Sequence, residues 1–397
     1  KPRLAILADR IAAPFLVLVL MAAAVAGVYW WQIDHTRALA VAVAVLIVTC
    51  PCALSLATPA AMLSSAGALA RRGVLVRRLQ AFETLAGINA VVFDKTGTLT
   101  HDRLALREVI TRAGVSREQA LALAAALAAG SLHPVSRALA QHGAGLQLVD
   151  AREVAGQGMQ ARLPGGTGVR LGSAAFCGAP EATAGQDAPR AHLSDDQGWM
   201  ASFTLEEGLR EDAREAVQAL RAMGVRTWLL SGDRASAAEA VGQAVGVDHV
   251  IAGATPEQKL VEVTRLQAQG LSIAMVGDGL NDGPVLARAD TSFALGQAAP
   301  LAQAQSDYVI QGGQVMDVVH TLTQARATLR VVRQNLIWAA AYNVVAVPLA
   351  LVGWMPPWLA GLGMAGSSLL VIGNALRLAG KTPHSSSTNP VSAPASA

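Results

Sequence analysis

The chain has 397 residues, enough for two or three domains, and 52% of them are apolar. Its mean hydropathy of +0.39 is high for a soluble protein and points first to membrane segments. The net charge is only +3 and there is no basic block, so nucleic acid is not an expected partner. Three cysteines, two of them in one short motif, do not indicate a disulfide framework.

Uncharged segments at both ends of the chain are long enough to cross a bilayer core of about 30 Å, which needs roughly 20 helical residues. The segments 11–31 and 38–70 predict one span each, and 334–376 predicts two spans with a break at the Pro356-Pro357 pair. Arg and Lys residues flank one side of these four spans, which should be cytoplasmic. An aromatic belt is expected on the outer side, from Trp30, Trp31, Trp354 and Trp358.

A soluble insert lies between the second and third spans, at about 74–330. Strand-like runs at 90–93, 227–230 and 272–276 alternate with helical patterns and end in Gly/Asp-rich loops, which is typical of a parallel α/β sheet. Between the first two runs, residues 102–205 carry helix and strand signals of their own. This stretch is therefore predicted to be an inserted domain.

The first strand of the sheet runs into the string DKTGTLT, which begins at Asp94 and ends at Thr100. Ligands bind at the carboxyl ends of parallel strands. A carboxylate there can attack a γ-phosphate and form an acyl phosphate, and Gly97 permits a tight loop whose N–H groups hold phosphoryl oxygens. For Asp94 alone, an ordinary polar turn after a buried strand would be the better interpretation.

Three further polar groups follow later strands of the sheet. Ser231 begins Ser-Gly-Asp and can contact a phosphoryl group, and Lys259 can balance phosphate charge. Asp278 begins Asp-Gly-Leu-Asn-Asp and would share Mg²⁺ with Asp94. Each motif alone is weak, but their order along the chain is informative.

Together these motifs resemble the phosphorylation machinery of P-type ATPases, which have a haloacid-dehalogenase-like core. Phosphatases with this core place a second Asp two residues after the nucleophile, where this chain has Thr96. Without that acid/base the acyl phosphate should hydrolyse slowly, as a pump requires. A membrane-anchored phosphatase of the same core is the alternative.

The resemblance also implies a set of site residues. It implies catalytic roles for Asp94, Thr96, Ser231 and Lys259, and Mg²⁺ binding by Asp94, Thr96, Asp278 and Asp282. It implies ATP binding by His133, Gly156, Gly158, Gly232, Asp233 and Asn281. His133-Pro134 also fits a helix start with Pro at the first position. Ala128 and Leu132 stand where the family usually has Glu, and Glu207 stands where it often has Asp.

The motif Cys50-Pro51-Cys52 lies in the middle of an apolar span. Pro51 removes one N–H and frees the carbonyl of Ile47, so the helix should kink or unwind and let both thiolates converge. Soft thiolates select Cu(I), Zn(II) or similar ions. A Pro kink flanked by two small apolar residues is the plainer alternative.

The last two spans carry Tyr342, Asn343, Met364 and Ser368. Met364 and Ser368 are four residues apart and share a helical face, and a thioether suits Cu(I). With Cys50 and Cys52, this pattern resembles the Cu(I) subgroup of heavy-metal P-type ATPases. The Zn(II)/Cd(II)/Pb(II) subgroup has a Lys and an Asp in these spans, and neither occurs between 334 and 376.

The resemblance implies an ATP-driven exporter of Cu⁺ that uses ATP and Mg²⁺. It is expected in a cell membrane, such as a bacterial inner membrane, with its soluble domains in the cytoplasm. The expected partners are the lipid bilayer, a copper chaperone, and an N-terminal part of the same protein with the actuator domain and first membrane helices. The chain lacks Thr-Gly-Glu and a starting Met, so a fragment is expected.

The expected fold is an α-helical membrane domain of four spans plus an α/β haloacid-dehalogenase-like phosphorylation domain with an inserted α+β nucleotide-binding domain. Other hypotheses are a P-type ATPase for Zn(II) or Cd(II), and a non-catalytic metal-binding membrane protein. The predicted limits are 1–73 and 331–380 for the paired spans, 74–101 and 206–330 for the phosphorylation domain, 102–205 for the nucleotide domain, and 381–397 for a disordered tail.

Overall fold

The computed structural model describes residues 3–50, 52–143, 145–180, 189–278, 283–296 and 300–380. The helices are α1 (Arg3–Ile33), α2 (His35–Val48), α3 (Cys52–Ala70), α4 (Ala81–Ala86), α5 (Arg117–Ala128), α6 (Pro134–Ala140), α7 (Ala174–Cys177), α8 (Ala213–Ala222), α9 (Ala235–Val245), α10 (Pro256–Ala268), α11 (Gly283–Arg288), α12 (Pro300–Gln305), α13 (Met316–Leu351) and α14 (Pro357–Leu376). The strands are β1 (Val74–Val76), β2 (Ala90–Asp94), β3 (Thr100–Thr111), β4 (Val149–Val154), β5 (Gly158–Arg162), β6 (Gly168–Gly172), β7 (Arg190–Asp195), β8 (Gly198–Leu209), β9 (Arg226–Leu230), β10 (His249–Ile251), β11 (Ile273–Gly277), β12 (Thr291–Leu295) and β13 (Tyr308–Ile310).

Seven strands form one sheet in the order β1-β13-β12-β11-β2-β9-β10. All neighbours pair in parallel except β1, which is antiparallel to β13. We call this the parallel sheet. Its central strands β2 and β11 are buried throughout, which suits their continuous apolar runs. The three predicted strand runs are confirmed as β2, β9 and β11.

A second sheet is antiparallel throughout, in the order β3-β8-β7-β6-β5-β4, and we call it the antiparallel sheet. Helices α5 and α6 cover one face, where Leu123 and Leu139 join a core with Leu171 and Phe203. The long strands β3 and β8 connect this sheet to the parallel sheet. The predicted limits of the insert, 102 and 205, therefore fall inside these two strands.

Two glycines set the spacing between β5 and β6. Gly158 and Gly172 are directly opposite in the ladder. A Cβ added to Gly158 would overlap the carbonyl oxygen of Leu171, and one added to Gly172 would overlap that of Gln157. Gly158 also has φ +145, which favours glycine. Both positions therefore have a packing reason to be glycine.

Five helices, α1, α2, α3, α13 and α14, form a bundle below the parallel sheet. Among the described residues, α13 and α14 are the helices long and apolar enough to cross a membrane, while 19–33 and α2 are shorter apolar stretches. Two of the four expected spans, α13 and α14, are therefore supported by helix length and composition. The predicted break in 38–70 is confirmed, since α2 ends at Val48 and α3 begins at Cys52. Each piece is shorter than the uninterrupted span expected from the sequence.

The ends of the bundle differ in composition. The Trp30 indole donates to the carbonyl of Leu351 at 3.0 Å, and Gly353 packs against the same ring. The α1–α2 and α13–α14 turns therefore share one end, where the four tryptophans lie. At the other end Arg71 donates to the carbonyl of Ala379 at 2.7 Å, so α3 and α14 finish together on the basic side.

Helix α13 belongs to both parts of the molecule. Val318, Leu322 and Ala325 join the core of the parallel sheet, whereas Ala339 and Ala346 pack among the bundle helices. Its 36 residues correspond to about 54 Å of continuous helix. The predicted boundary at 330/331 therefore falls within one unbroken helix.

Gly158→Ala should destabilise the antiparallel sheet for two reasons. The added Cβ would overlap the backbone of β6, and alanine rarely adopts the φ of +145 found at this position. We expect a loss of roughly 1–3 kcal/mol, visible as a lower midpoint of thermal unfolding. Gly165→Ala is the matched control, since its Cβ would meet open space. Equal midpoints for the two variants would contradict the packing role of Gly158.

Candidate functional site

Asp94 is the last residue of β2 and is only 6% exposed. It lies opposite Leu230 of β9, and β11 is the parallel neighbour on the other side. Ser231 and Asp278 directly follow those two strands. Since parallel strands end at one edge, the structure brings these three predicted residues to the same edge of the sheet.

Lys259 reaches Asp94 from α10. Its Nζ lies 2.6 Å from Asp94 Oδ1, and both side chains are buried. The start of α10 fixes this position, because Thr255 and Gln258 form a reciprocal cap and Pro256 occupies the first turn. A buried carboxylate is costly without such a partner. The ammonium therefore compensates the charge on Asp94.

The loop after Asp94 turns at Gly97, which has φ +70. Thr96 is exposed, whereas Lys95, Thr98 and Leu99 are buried. The Thr98 hydroxyl is buried and has no hydrogen-bond partner in the part of the chain that the structure describes. Thr96 thus occupies the open side of the loop, at the position where the related phosphatases carry their second Asp.

Arg210 stabilises this loop by donating hydrogen bonds to the backbone carbonyls of the loop. The guanidinium donates to the oxygens of Gly97 and Thr98 at 2.8 Å each, and to that of Gly313 at 2.7 Å. The Arg210 amide donates to Leu99 at 2.9 Å. Arg210 was not among the predicted site residues, because its acceptors are backbone atoms that leave no signal in residue type.

Lys95 is buried and forms an ion-pair cluster with two carboxylates that was not predicted from the sequence. Its Nζ lies 2.6 Å from Glu207 Oε2 and also pairs with Asp233. Burial lowers the pKa of Lys95, but hydrogen bonds and ion pairs with Asp233 and Glu207 outweigh this and hold the pKa above its usual value. Asp233 was predicted to contact the nucleotide, and in the structure its carboxylate pairs with Lys95.

Three of the residues predicted to bind nucleotide, His133, Gly156 and Gly158, lie in the part of the chain built on the antiparallel sheet, whereas Gly232 and Asp233 follow β9 of the parallel sheet. His133 caps α6, where its Nδ1 accepts from the amide of Val135 at 3.3 Å. The His133 amide donates to Ser131 Oγ at 3.2 Å, and that hydroxyl lies 3.4 Å from Glu153 Oε1 on β4. Gly156 lies in the hairpin after β4 and has φ +70. The backbone of His133 is therefore linked through Ser131 and Glu153 to β4, the strand that leads into the glycine hairpin.

The break between α2 and α3 contains the Cys-Pro-Cys motif. The Cys50 amide donates to the carbonyl of Ile47 at 3.2 Å, so a tight turn engages the carbonyl that Pro51 was expected to free. Cys50 is half-buried, and its sulfur is disulfide-bonded in the structure. The side chain of Cys52 lies outside the described part of the chain.

Tyr342 of α13 packs toward the same region. It joins the apolar cluster that includes Val45 and Val48 at the end of α2. Its ring also packs against Gly363 of α14, the residue before Met364. The buried Tyr342 hydroxyl has no hydrogen-bond partner among the described residues.

The other residues predicted on the two last spans have different surroundings. Asn343, Met364 and Ser368 are half-buried, and their role as ligands stays a prediction. Ser367 instead accepts from the Trp338 indole at 3.2 Å, as expected of a helix-packing group. Asn281 and Asp282 lie outside the described residues. Within the described ranges, no three His, Cys, Asp or Glu side chains come together as a metal cluster.

A family profile and individual known proteins both match this chain over much of its length. The profile of the haloacid dehalogenase-like hydrolase family matches residues 88–290, half of the chain. The copper-exporting P-type ATPase of Mycobacterium tuberculosis (strain ATCC 25618 / H37Rv) is 39% identical over 386 residues, 94% of this chain and 50% of that protein. The cation-transporting P-type ATPase B of Mycobacterium bovis (strain ATCC BAA-935 / AF2122/97) is 38% identical over 398 residues, 95% of this chain and 53% of that protein.

A solved structure agrees over the same extent. The crystal structure of a zinc-transporting PIB-type ATPase in the E2.Pi state superposes with a TM-score of 0.79 at 30% identity, covering 94% of this chain and 63% of that one. The chain belongs to the haloacid dehalogenase-like hydrolase family. Within it, the similarity is to metal-transporting P-type ATPases, which confirms the resemblance drawn from the motifs. The chain spans about half the length of these curated relatives.

Lys259→Met should destabilise the fold, because Asp94 loses its buried ammonium partner. Removing one member of a buried pair costs up to roughly 3–5 kcal/mol. Adding Asp94→Asn to Lys259→Met should recover part of this loss, since the remaining group no longer carries a charge. Thermal unfolding of the single and double variants measures the coupling. Strictly additive losses would show that the two groups do not compensate each other.

Proposed function

We propose that the chain is part of an ATP-driven metal pump in which Asp94 accepts the γ-phosphoryl group. The observation that carries this is the Asp94–Lys259 pair at 2.6 Å, at the edge where β2, β9 and β11 end. The relatives that match most of the chain have P-type ATPase in their names. They are about twice as long, so the activity of the whole protein is part of this proposal.

In the proposed reaction an Asp94 oxygen attacks the γ-phosphorus and the bond to ADP breaks. The new acyl phosphate carries more negative charge than the free carboxylate, and Lys259 is already in place to stabilise it. Ser231, buried after β9, supplies a hydroxyl on the same edge. Thr96 cannot activate water as a second Asp would, so hydrolysis of the intermediate should be slow.

The oxygen donors at this edge suit Mg²⁺, which prefers one or two carboxylates plus phosphate and water. Asp94 and Asp278 follow adjacent parallel strands and would hold the ion. Thr96 and Asp282 are further proposed ligands. When bound, the ion would neutralise charge on the phosphoryl oxygens.

ATP would bind on the antiparallel sheet, between His133 and the hairpin of Gly156 and Gly158. The link from Ser131 to Glu153 supports this location, since it holds the two elements together. Gly232, Asp233 and Asn281 would contact the nucleotide from the parallel sheet. Glu153 places a carboxylate near His133 in a chain that has Ala128 and Leu132 at the family's Glu positions.

Four membrane spans are proposed in place of the two that length and composition alone support. The additional spans are α1 and the α2–α3 pair, which is interrupted at the Cys-Pro-Cys motif. Two tight turns at the tryptophan end and basic residues at the other end support cytoplasmic soluble domains. A bacterial inner membrane, a further N-terminal part with an actuator domain, and a copper chaperone complete this proposal.

Cu(I) is the proposed cargo, held by Cys50, Cys52, Tyr342, Asn343, Met364 and Ser368. The support is the buried Tyr342 hydroxyl, which has no hydrogen-bond partner among the described residues and lies beside Gly363, the residue before Met364. Tyr342 also packs in the cluster of Val45 and Val48 at the end of α2. Among the described parts of α13 and α14, no acidic or basic residue lies between 334 and 376. Zn²⁺ is the alternative, favoured by the similarity to a zinc-transporting structure.

Asp94→Asn should abolish covalent phosphorylation. Purified chain is incubated with labelled ATP or acetyl phosphate, and the acid-stable, hydroxylamine-labile adduct is counted. The exposed Asp196 lies in the turn between β7 and β8, so Asp196→Asn should label like the unmodified chain. An adduct that persists in Asp94→Asn would move the phosphoacceptor to another residue.

Reduced chain should bind Cu(I) more tightly than Zn²⁺, measured anaerobically by competition with chromophoric chelators. Cys50→Ser should abolish Cu(I) binding, and Met364→Leu should weaken it about tenfold, or ~1.4 kcal/mol. Met355, in the α13–α14 turn, supplies the control Met355→Leu, which should bind normally. Tighter binding of Zn²⁺ than of Cu(I) would overturn the copper assignment and leave the ATPase proposal intact.

A further inference from the structure

The two sheets meet at a narrow crossover. The chain enters the antiparallel sheet at Thr100, five residues after Lys95, and returns at Leu209. Thr100 and Leu209 are paired in the ladder, so β3 and β8 cross side by side. The angle between the sheets is therefore set by contacts at this short stretch.

Lys95 is the side chain that ties the phosphorylation loop to this crossover. Its side chain is 7% exposed, and its ammonium pairs with Glu207 near the end of β8 and with Asp233 after β9. Glu207 Oε2 also accepts from the Thr100 hydroxyl at 2.9 Å. One ion-pair cluster around the buried Lys95 thus joins the loop of Asp94, both crossover strands, and the loop that begins with Ser231.

Arg210 acts on the same loop by a different route. It donates only to backbone oxygens in the contacts above, at Gly97, Thr98 and Gly313. These bonds fix the shape of the loop. They do not depend on Glu207, so the Lys95–Glu207 pair can be removed while the loop keeps its backbone anchors.

We propose that Lys95 is a positioning residue, which latches the Asp94 loop to Glu207 at the crossover and thereby fixes the angle at which the antiparallel sheet presents ATP to Asp94. The latch rests on the proposed function, since it concerns delivery of the nucleotide to the phosphoacceptor. The latch proposal predicts that small phosphoryl donors, which do not need to bind the antiparallel sheet, phosphorylate Asp94 even when the latch is removed. It also assigns phosphate neutralisation to Lys259 and not to Lys95.

The test compares ATP with acetyl phosphate as donors to Asp94 in the full chain. Glu207→Gln removes the ion pair and keeps the shape of the side chain. It should slow labelling from ATP about tenfold and leave labelling from acetyl phosphate within about twofold. Glu206→Gln is the matched control, because the neighbouring Glu206 pairs only with exposed Arg107, at 3.3 Å, among the ion pairs of the described residues.

A second variant separates positioning from direct phosphate contact. Lys95→Met should show the same preference, and Lys95→Met/Glu207→Gln should be no slower than Lys95→Met, because Lys95→Met already removes the pair with Glu207. Equal loss with both donors in Lys95→Met, together with normal rates in Glu207→Gln, would show that Lys95 acts on the phosphoryl group and would overturn the latch.

A structural measurement tests the latch without any phosphorylation. Spin labels are placed by Glu118→Cys on α5 and Glu239→Cys on α9, both exposed, in a chain whose native cysteines are replaced by Ala. Glu207→Gln should broaden the distance distribution, and Glu206→Gln should not. An unchanged distribution in Glu207→Gln overturns the latch. Broadening in a chain that never labels Asp94 would support the latch and refute the proposed phosphoacceptor.

Discussion

Asp94 and Lys259 form a buried ion pair at the edge where the strands of the parallel sheet end. Removing two charges from water is expensive, and their attraction offsets that cost only when the geometry is good. The geometry here needs the register of β2 with β9 and β11 and the reciprocal cap that starts α10. The fold therefore holds one charged carboxylate, Asp94, in a buried position, although a carboxylate without a partner would be more stable in water.

Several polar side chains of the bundle are paired, whereas the buried hydroxyls of Ser64 and Tyr342 have no hydrogen-bond partner among the described residues. Ser65 pairs with Thr328 at 2.6 Å, and Asn335 donates to the carbonyl of Val371 at 3.2 Å. Pairing of this kind is what polar groups between membrane helices require. The buried Tyr342 hydroxyl lacks such a partner among the described residues, and it lies beside the helix that carries Met364. That contrast supports the proposed ion site.

The site was predicted best from the sequence where the geometry of the parallel sheet alone brings the residues together. Asp94, Ser231 and Asp278 follow separate strands, and strand ends meet whatever the loops between them contain. The count of four spans stays a prediction, because helix length and apolar composition support two spans among the described residues, and the apolar run 38–70 is divided between α2 and α3. Gly158 was predicted to bind nucleotide, and its close approach to β6 gives it a second reason to be glycine. Such backbone contacts cannot be read from residue type.

The two buried lysines beside Asp94 have environments that suit different tasks. Lys259 faces the carboxylate that would be phosphorylated, so its pair is neutral before the reaction and can attract a phosphoryl group. Lys95 faces two carboxylates, Glu207 and Asp233, so its cluster carries a net negative charge with all three ionised. That excess repels an incoming phosphate and weakens any direct role for the Lys95 ammonium in binding it. A cation held between two fixed anions instead resists displacement, which is the property that a latch between two sheets requires.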